Sequence, residues 1–200
     1  MEAGRIKDLL LSTGREGMDK LVGYMEENGF FTAPCSTQHH LSKEGGLAEH
    51  SFNVYESALD LYAVLGHHKV SEESVVICSL LHDIGKMGQF GKPNYIPNML
   101  KGRATKANPT PELKQSETKP FKSNPELMCL DHEVRALAII SKFIDLTEEE
   151  QQAILWHNGL YGPFKYEIQG KETPLYMILH FADMWASRVI EKEDDLDEEI

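Results

Sequence analysis

The stretch Leu80-Leu81-His82-Asp83-Ile84-Gly85-Lys86 decides how this chain is read. An adjacent histidine and aspartate close an apolar helical run, and a glycine and a lysine follow. The pair offers one nitrogen and one carboxylate ligand from a single backbone point. A carboxylate can bridge two cations, and a lysine three residues on can neutralise a phosphate. The motif points to metal-assisted chemistry on an anionic substrate.

Working outward, the chain reads as mostly helical. Ser71 with Glu72 and Glu73 is a helix start, the acids favouring the positive end of the dipole. That helix runs through Val75, Val76, Ile77, Leu80 and Leu81 to the His-Asp pair, where Gly85 stops it. Upstream, residues 46–65 place Leu47, Phe52, Val54, Ala58, Leu61 and Leu65 on roughly one helical face. Residues 6–28 are helical with a break near Ser12-Thr13-Gly14. Downstream, Asp131 is placed to cap a helix reaching Phe143. Thr147-Glu148-Glu149-Glu150 is a capping-box pattern for a helix ending near Trp156. Thr173-Pro174 opens a last helix, with proline at its first position.

Residues 88–125 differ. They hold six of the nine prolines and few large apolar residues, too long a stretch for an ordinary connection. This excursion is expected to lie beside the site or over it as a lid, and to carry a short hairpin. A further short strand is expected over 164–169. The architecture is therefore an all-α bundle with a long Pro-rich basic insertion and a small β-hairpin. It forms a single domain over residues 1–190, followed by an acidic tail over 191–200.

Charge narrows the partners. The net charge is −12, yet residues 85–125 hold eight basic side chains against two acidic ones. The last ten residues hold seven acids and one lysine. An acidic protein with one basic stretch is not a general DNA coater, because backbone binding needs a broad positive surface. The basic stretch suits a smaller polyanion, such as a nucleotide. No apolar run approaches a membrane span, and Met1 to Leu11 has no signal-peptide block. Cys35, Cys78 and Cys129 are odd in number and widely spaced, so they read as reduced structural thiols of a cytoplasmic protein.

Six residues carry the chemistry. His50 lies on the 46–65 helix, His82 and Asp83 close the next, His132 opens the helix after the excursion, and His157 ends the one after that. Asp183 lies in the last helix, between Ala182 and Met184. Ligands projecting inward from separate helices can converge on a core metal. A carboxylate on an apolar stretch needs a partner, because an unpaired buried charge is costly.

This order resembles the HD-domain superfamily of metal-dependent phosphohydrolases, whose pattern of His, His-Asp and a distant Asp matches His50, His82-Asp83 and Asp183. Gly45-Gly46-Leu47-Ala48-Glu49-His50-Ser51 is similar to an element of one branch, which carries two further histidines where His132 and His157 stand. The likeness spans about residues 36–190. The chain departs from that branch in having Asn158 where a second consecutive histidine is common, and in the long gap from Asp83 to His132.

The resemblance implies that His50, His82, Asp83 and Asp183 hold one metal, and that Asp83 bridges to a second held by His132 and His157. One or two divalent transition metals (Fe, Mn, Co, Ni or Zn) suit these ligands. A metal-bound hydroxide would cleave a phosphoester of a nucleotide, or of a short RNA or DNA end. Asp83 and Lys86 would be catalytic, Lys86 binding phosphate as a point charge. His40, His180, Asn158 and Arg103 are substrate candidates, and Lys101 and Lys106 are further cations of the insertion. His39 and His67-His68 are expected on the surface. Two alternatives are a di-iron oxygenase of the same superfamily and a catalytically silent metal-binding module.

Overall fold

A computed structural model describes residues 2–66, 69–102, 112–162 and 166–192. Seven α-helices dominate it: α1 (Glu2–Ser12), α2 (Met18–Glu27), α3 (Gly46–Leu61), α4 (Glu72–Leu81), α5 (His132–Ile140), α6 (Glu148–Trp156) and α7 (Pro174–Trp185). No helix among the described residues is long and apolar enough to cross a membrane.

The helix boundaries follow local chemistry. Ser71 accepts a hydrogen bond from the Ser74 N–H and starts α4. Thr147 and Glu150 complete a reciprocal capping box at α6. Thr173 caps α7, with Pro174 at its first position. The expected break between α1 and α2 falls at Thr13 to Gly17. Several boundaries differ from the sequence reading: α1 starts at Glu2 rather than residue 6, and α3 ends at Leu61, followed by a π-helical turn over Tyr62–Gly66. Helix α5 stops at Ile140, and the side chain of Asp131 makes no cap bond to it. Gly85 does not end the chain's helical course outright, since a 3₁₀ turn runs over Ile84–Met87.

Helix α4 is buried on all sides from Val75 to Leu81, as a helix apolar all round must be. Helices α3, α6 and α7 surround it, and α3 also packs on α1 and α7. The core joins Leu47, Val54, Ile77, Leu80, Ile84, Ile139, Ile154, Leu175 and Leu179. Each such side chain taken fully from water contributes about 1.5–3 kcal/mol before entropy is counted. This core holds the C-terminal end of α4 rigid, and the His-Asp pair sits there.

The described parts of the excursion form two short two-stranded ladders, together a β-arm. Strand β1 (Tyr95–Pro97) pairs antiparallel with β4 (Phe121–Ser123), and β2 (Met99–Lys101) with β3 (Leu113–Gln115). Asn98 links the two ladders: its N–H donates to the Pro120 carbonyl at 2.8 Å, and its carbonyl accepts from the Ser116 N–H at 2.9 Å. The Phe121 N–H donates to the Thr37 carbonyl at 3.2 Å and docks the arm on the loop before α3. The described part of the expected 164–169 strand, Tyr166 to Gln169, is a series of turns instead. Pro163 to Lys165, His67-His68, Arg103, Lys106 and the tail from Glu193 lie outside the described residues.

Candidate metal centre

Asp83 is the hub. Its carboxylate is 1% exposed, and its two oxygens face different histidines. Oδ2 lies 3.4 Å from His50 Nε2 and 3.5 Å from His82 Nε2. Oδ1 lies 3.2 Å from His132 Nε2 and 3.5 Å from His157 Nε2. Asp183 Oδ1 joins the first group, 3.3 Å from His50 Nε2. All six sequence candidates are therefore gathered around one carboxylate. Donor atoms of His50, His82 and Asp183 lie within 4.8 Å of one another, as do those of His82, Asp83 and His157.

Local geometry explains the convergence. His82 caps α4 and Asp83 begins the 3₁₀ turn, so the two side chains leave the same bend. Beneath them, Gly85 lies against the first turn of α5. A Cβ there would collide with the His132 carbonyl oxygen and press on the Ala136 nitrogen. Glycine lets α5 approach and brings His132 to Asp83. A Cβ on Gly159, at φ +51°, would likewise collide with the His180 ring.

The ring orientations are fixed from behind. His82 Nδ1 donates to the Ser79 carbonyl at 2.9 Å and His157 Nδ1 to the Ile154 carbonyl at 2.8 Å. Each bond leaves Nε2 with its lone pair toward the centre. His132 Nδ1 faces Glu133 Oε2 at 3.3 Å. The Asn158 amide donates to Glu133 Oε1 and lies 3.3 Å from both His132 Nε2 and His157 Nε2.

Electrostatics match a cation site. Burial alone would raise the Asp83 carboxyl, but Lys86, with Nζ 2.6 Å from Oδ2, and the surrounding histidines hold it well below the usual range. Burial also opposes ionisation of Asp183, and its hydrogen bond to His50 overcomes that. Burial pushes His82 down, toward the neutral ring a metal requires, whereas His50 and His157 are raised against burial by the acidic groups that face them. His82 Nε2 and Asp83 Oδ1 are buried and have no hydrogen-bond partner. Unpaired buried polar atoms are rare, and here two face a common centre. The mixed imidazole and carboxylate set fits a divalent transition metal.

The HD domain family model matches residues 47–185. The chain belongs to the HD-domain family. No match was found among curated proteins or among solved structures. HD domains are metal-dependent hydrolases, generally of phosphoesters, and bind divalent metals. In this HD domain the matched span begins on α3, three residues before His50, and ends two residues after Asp183.

The substrate candidates divide. His180 is buried, donates from Nδ1 to the His157 carbonyl at 2.7 Å and stacks on Tyr176. With His40, Lys86, Asn158 and Asp183 it lines a cavity of about 160 Å³ beside the metal centre. Burial and then His50 push His40 down to about 4, so its ring is neutral near pH 7. His39 is exposed, as expected.

The structure adds residues the sequence reading missed. Arg188 lines the same cavity and stacks on Tyr161 at 4.3 Å. Cys35, a free thiol, is fully buried beside the site, its Sγ 3.4 Å from His40 Nε2. Glu191, expected to begin the solvated acidic tail, is instead buried. It is 1% exposed, and its Oε1 accepts from His50 Nδ1 at 2.7 Å. In sequence Glu191 opens an acidic run that reads as solvated.

Proposed function

We propose that this HD domain is a phosphohydrolase that cleaves phosphoester bonds of a nucleotide, or of a short RNA or DNA end. His50, His82, Asp83 and Asp183 would hold one divalent ion, and Asp83, His132 and His157 a second. One observation carries the reading: Asp83 presents each carboxylate oxygen to a different pair of histidines, and Oδ1 and His82 Nε2 are buried without partners. A bound divalent ion supplies Lewis acidity, bringing the pKa of its water toward neutrality and offsetting charge on phosphoryl oxygens.

The chain's own groups supply the rest. Lys86 and Arg188 line the cavity beside the centre and give it positive charge for a phosphate. Lys86 also screens Asp83, so the carboxylate does not repel that anion. His180 has Nδ1 committed to a carbonyl, which leaves Nε2 to exchange a proton with a leaving oxygen. The β-arm walls a cleft of about 770 Å³ with Lys86 at one side. Tyr95, Phe121, Asn28, Asn94 and Gln115 line that cleft, giving aromatic faces and amides that suit a nucleobase.

The test is product release from a nucleotide panel with Mn²⁺, with Asp83→Ala beside the wild type. Turnover that disappears in the variant supports the proposal. A metal-loaded wild type that turns over no phosphoester, but consumes oxygen with a phosphonate, would replace it with the oxygenase reading.

A further inference from the structure

We infer that Glu191 is a positioning residue that fixes the His50 imidazole for metal binding. The inference rests on the reading of His50 as a metal ligand, and it concerns a residue outside the span matched to the family.

His50 has two ring nitrogens with separate partners. Nε2 faces Asp83 and Asp183. Nδ1 faces Glu191 Oε1 at 2.7 Å. For Nε2 to offer a lone pair, Nδ1 must carry the proton, and a carboxylate acceptor enforces that tautomer. It also makes the imidazole a stronger donor, as carboxylate partners of metal-bound histidines do.

Glu191 is itself held. Asn53 Nδ2 donates to the same oxygen at 3.3 Å, whereas the other oxygen is buried without a hydrogen-bond partner, 3.8 Å from His40 Nε2. Burying this carboxylate costs free energy that a surface position would avoid, and no Lys or Arg ion pair with it is seen among the described residues to offset that cost. The remaining three histidines differ. His82 and His157 lean on neutral carbonyls, and the Glu133 contact to His132 is longer, at 3.3 Å. His50 is thus the ring with the shortest and most buried carboxylate support.

A helical turn of unusual pitch makes the contact. Asp183 and Glu191 are eight residues apart, and at about 100° per residue an α-helix would leave them about 80° apart around its axis. A π-helical turn over Ala186–Ile190 intervenes. Its extra residue acts as one fewer step and brings the two acids to within about 20°. Both then reach the same imidazole, one at each nitrogen.

The experiment uses the full chain, stripped of metal, as wild type, Glu191→Gln and Glu191→Ala. Mn²⁺ affinity is measured by calorimetry. The His50 ring N–H is followed by proton–nitrogen correlation in the zinc-loaded protein. Circular dichroism of the metal-free forms checks the fold. Glu191→Ala is expected to bind about 10- to 100-fold more weakly and to lose the protected Nδ1–H signal. Glu191→Gln, whose amide oxygen still accepts, should fall between and keep a shifted signal. A folded Glu191→Ala with wild-type affinity and an unchanged signal overturns the inference alone. If Glu191→Ala does not fold, Glu191→Gln decides: wild-type affinity with an unshifted signal overturns it. A wild type that binds no divalent ion overturns the metal reading itself, and the inference with it.

Discussion

Gly85 lies so close under the His132 carbonyl that no Cβ fits between them. The backbone of one metal candidate's helix thus rests on the turn that carries another. The conformation of Gly85 is ordinary, so the demand is for space alone.

Gly85→Ala should therefore act at two levels. The added methyl forces α5 away, at about 1–3 kcal/mol, the usual scale of core overpacking. Thermal melting should shift down accordingly. The displacement also moves His132 off Asp83 Oδ1, so metal stoichiometry should fall at the His132 and His157 pair before the His50 group. An unchanged melting temperature would show that the contact is soft.

A second prediction concerns stability away from the centre. Glu150 is fully buried and takes hydrogen bonds from Arg15 at 2.9 and 3.1 Å, from Ser74 at 2.8 Å and from the Thr147 N–H at 2.8 Å. Burial opposes ionisation, but Arg15 and these donors hold the carboxyl below its ordinary value. With the folded pKa below the unfolded one, the stabilisation is complete above about pH 4.5 and fades as pH falls through the folded value. Glu150→Gln should cost about 2 kcal/mol at pH 7. The gap to wild type should narrow as melting is measured from pH 7 down to pH 3. A gap independent of pH would contradict the ionic origin.

The β-arm gives a third prediction. Pro97 and Phe121 are register partners, so the chain between them can be replaced by an Asn-Gly turn that keeps β1 paired with β4. If the arm walls the substrate cleft, KM should rise about tenfold, a loss of about 1.4 kcal/mol in binding, while metal content stays at the wild-type level. Unchanged kinetics would remove the arm from substrate binding.

Much of the architecture is legible in the chain because its signals are local. Thr147 with Glu150, Ser71 before two acids, and Thr173-Pro174 each start a helix through groups within three residues. The six metal candidates stand at helix ends or on an apolar face, where periodicity points inward. What escapes is set by packing between distant segments. Glu191 reads as tail because the π-turn before it leaves no mark in composition, and only that turn brings it to His50. Cys35 reaches His40 through a loop without periodicity. Arg188 is the one charged residue of the stretch Ala186 to Ile190, and its place at the cavity depends on the same turn.

The central claim is that Asp83 organises a metal centre, and metal content of Asp83→Asn tests it most directly. Wild type and variant would be loaded with Mn²⁺, dialysed and assayed by elemental analysis, with circular dichroism alongside. The account predicts that the wild type retains divalent metal, and that the variant loses it while keeping its helical spectrum. A folded Asp83→Asn that retains the wild-type complement of metal would contradict the account.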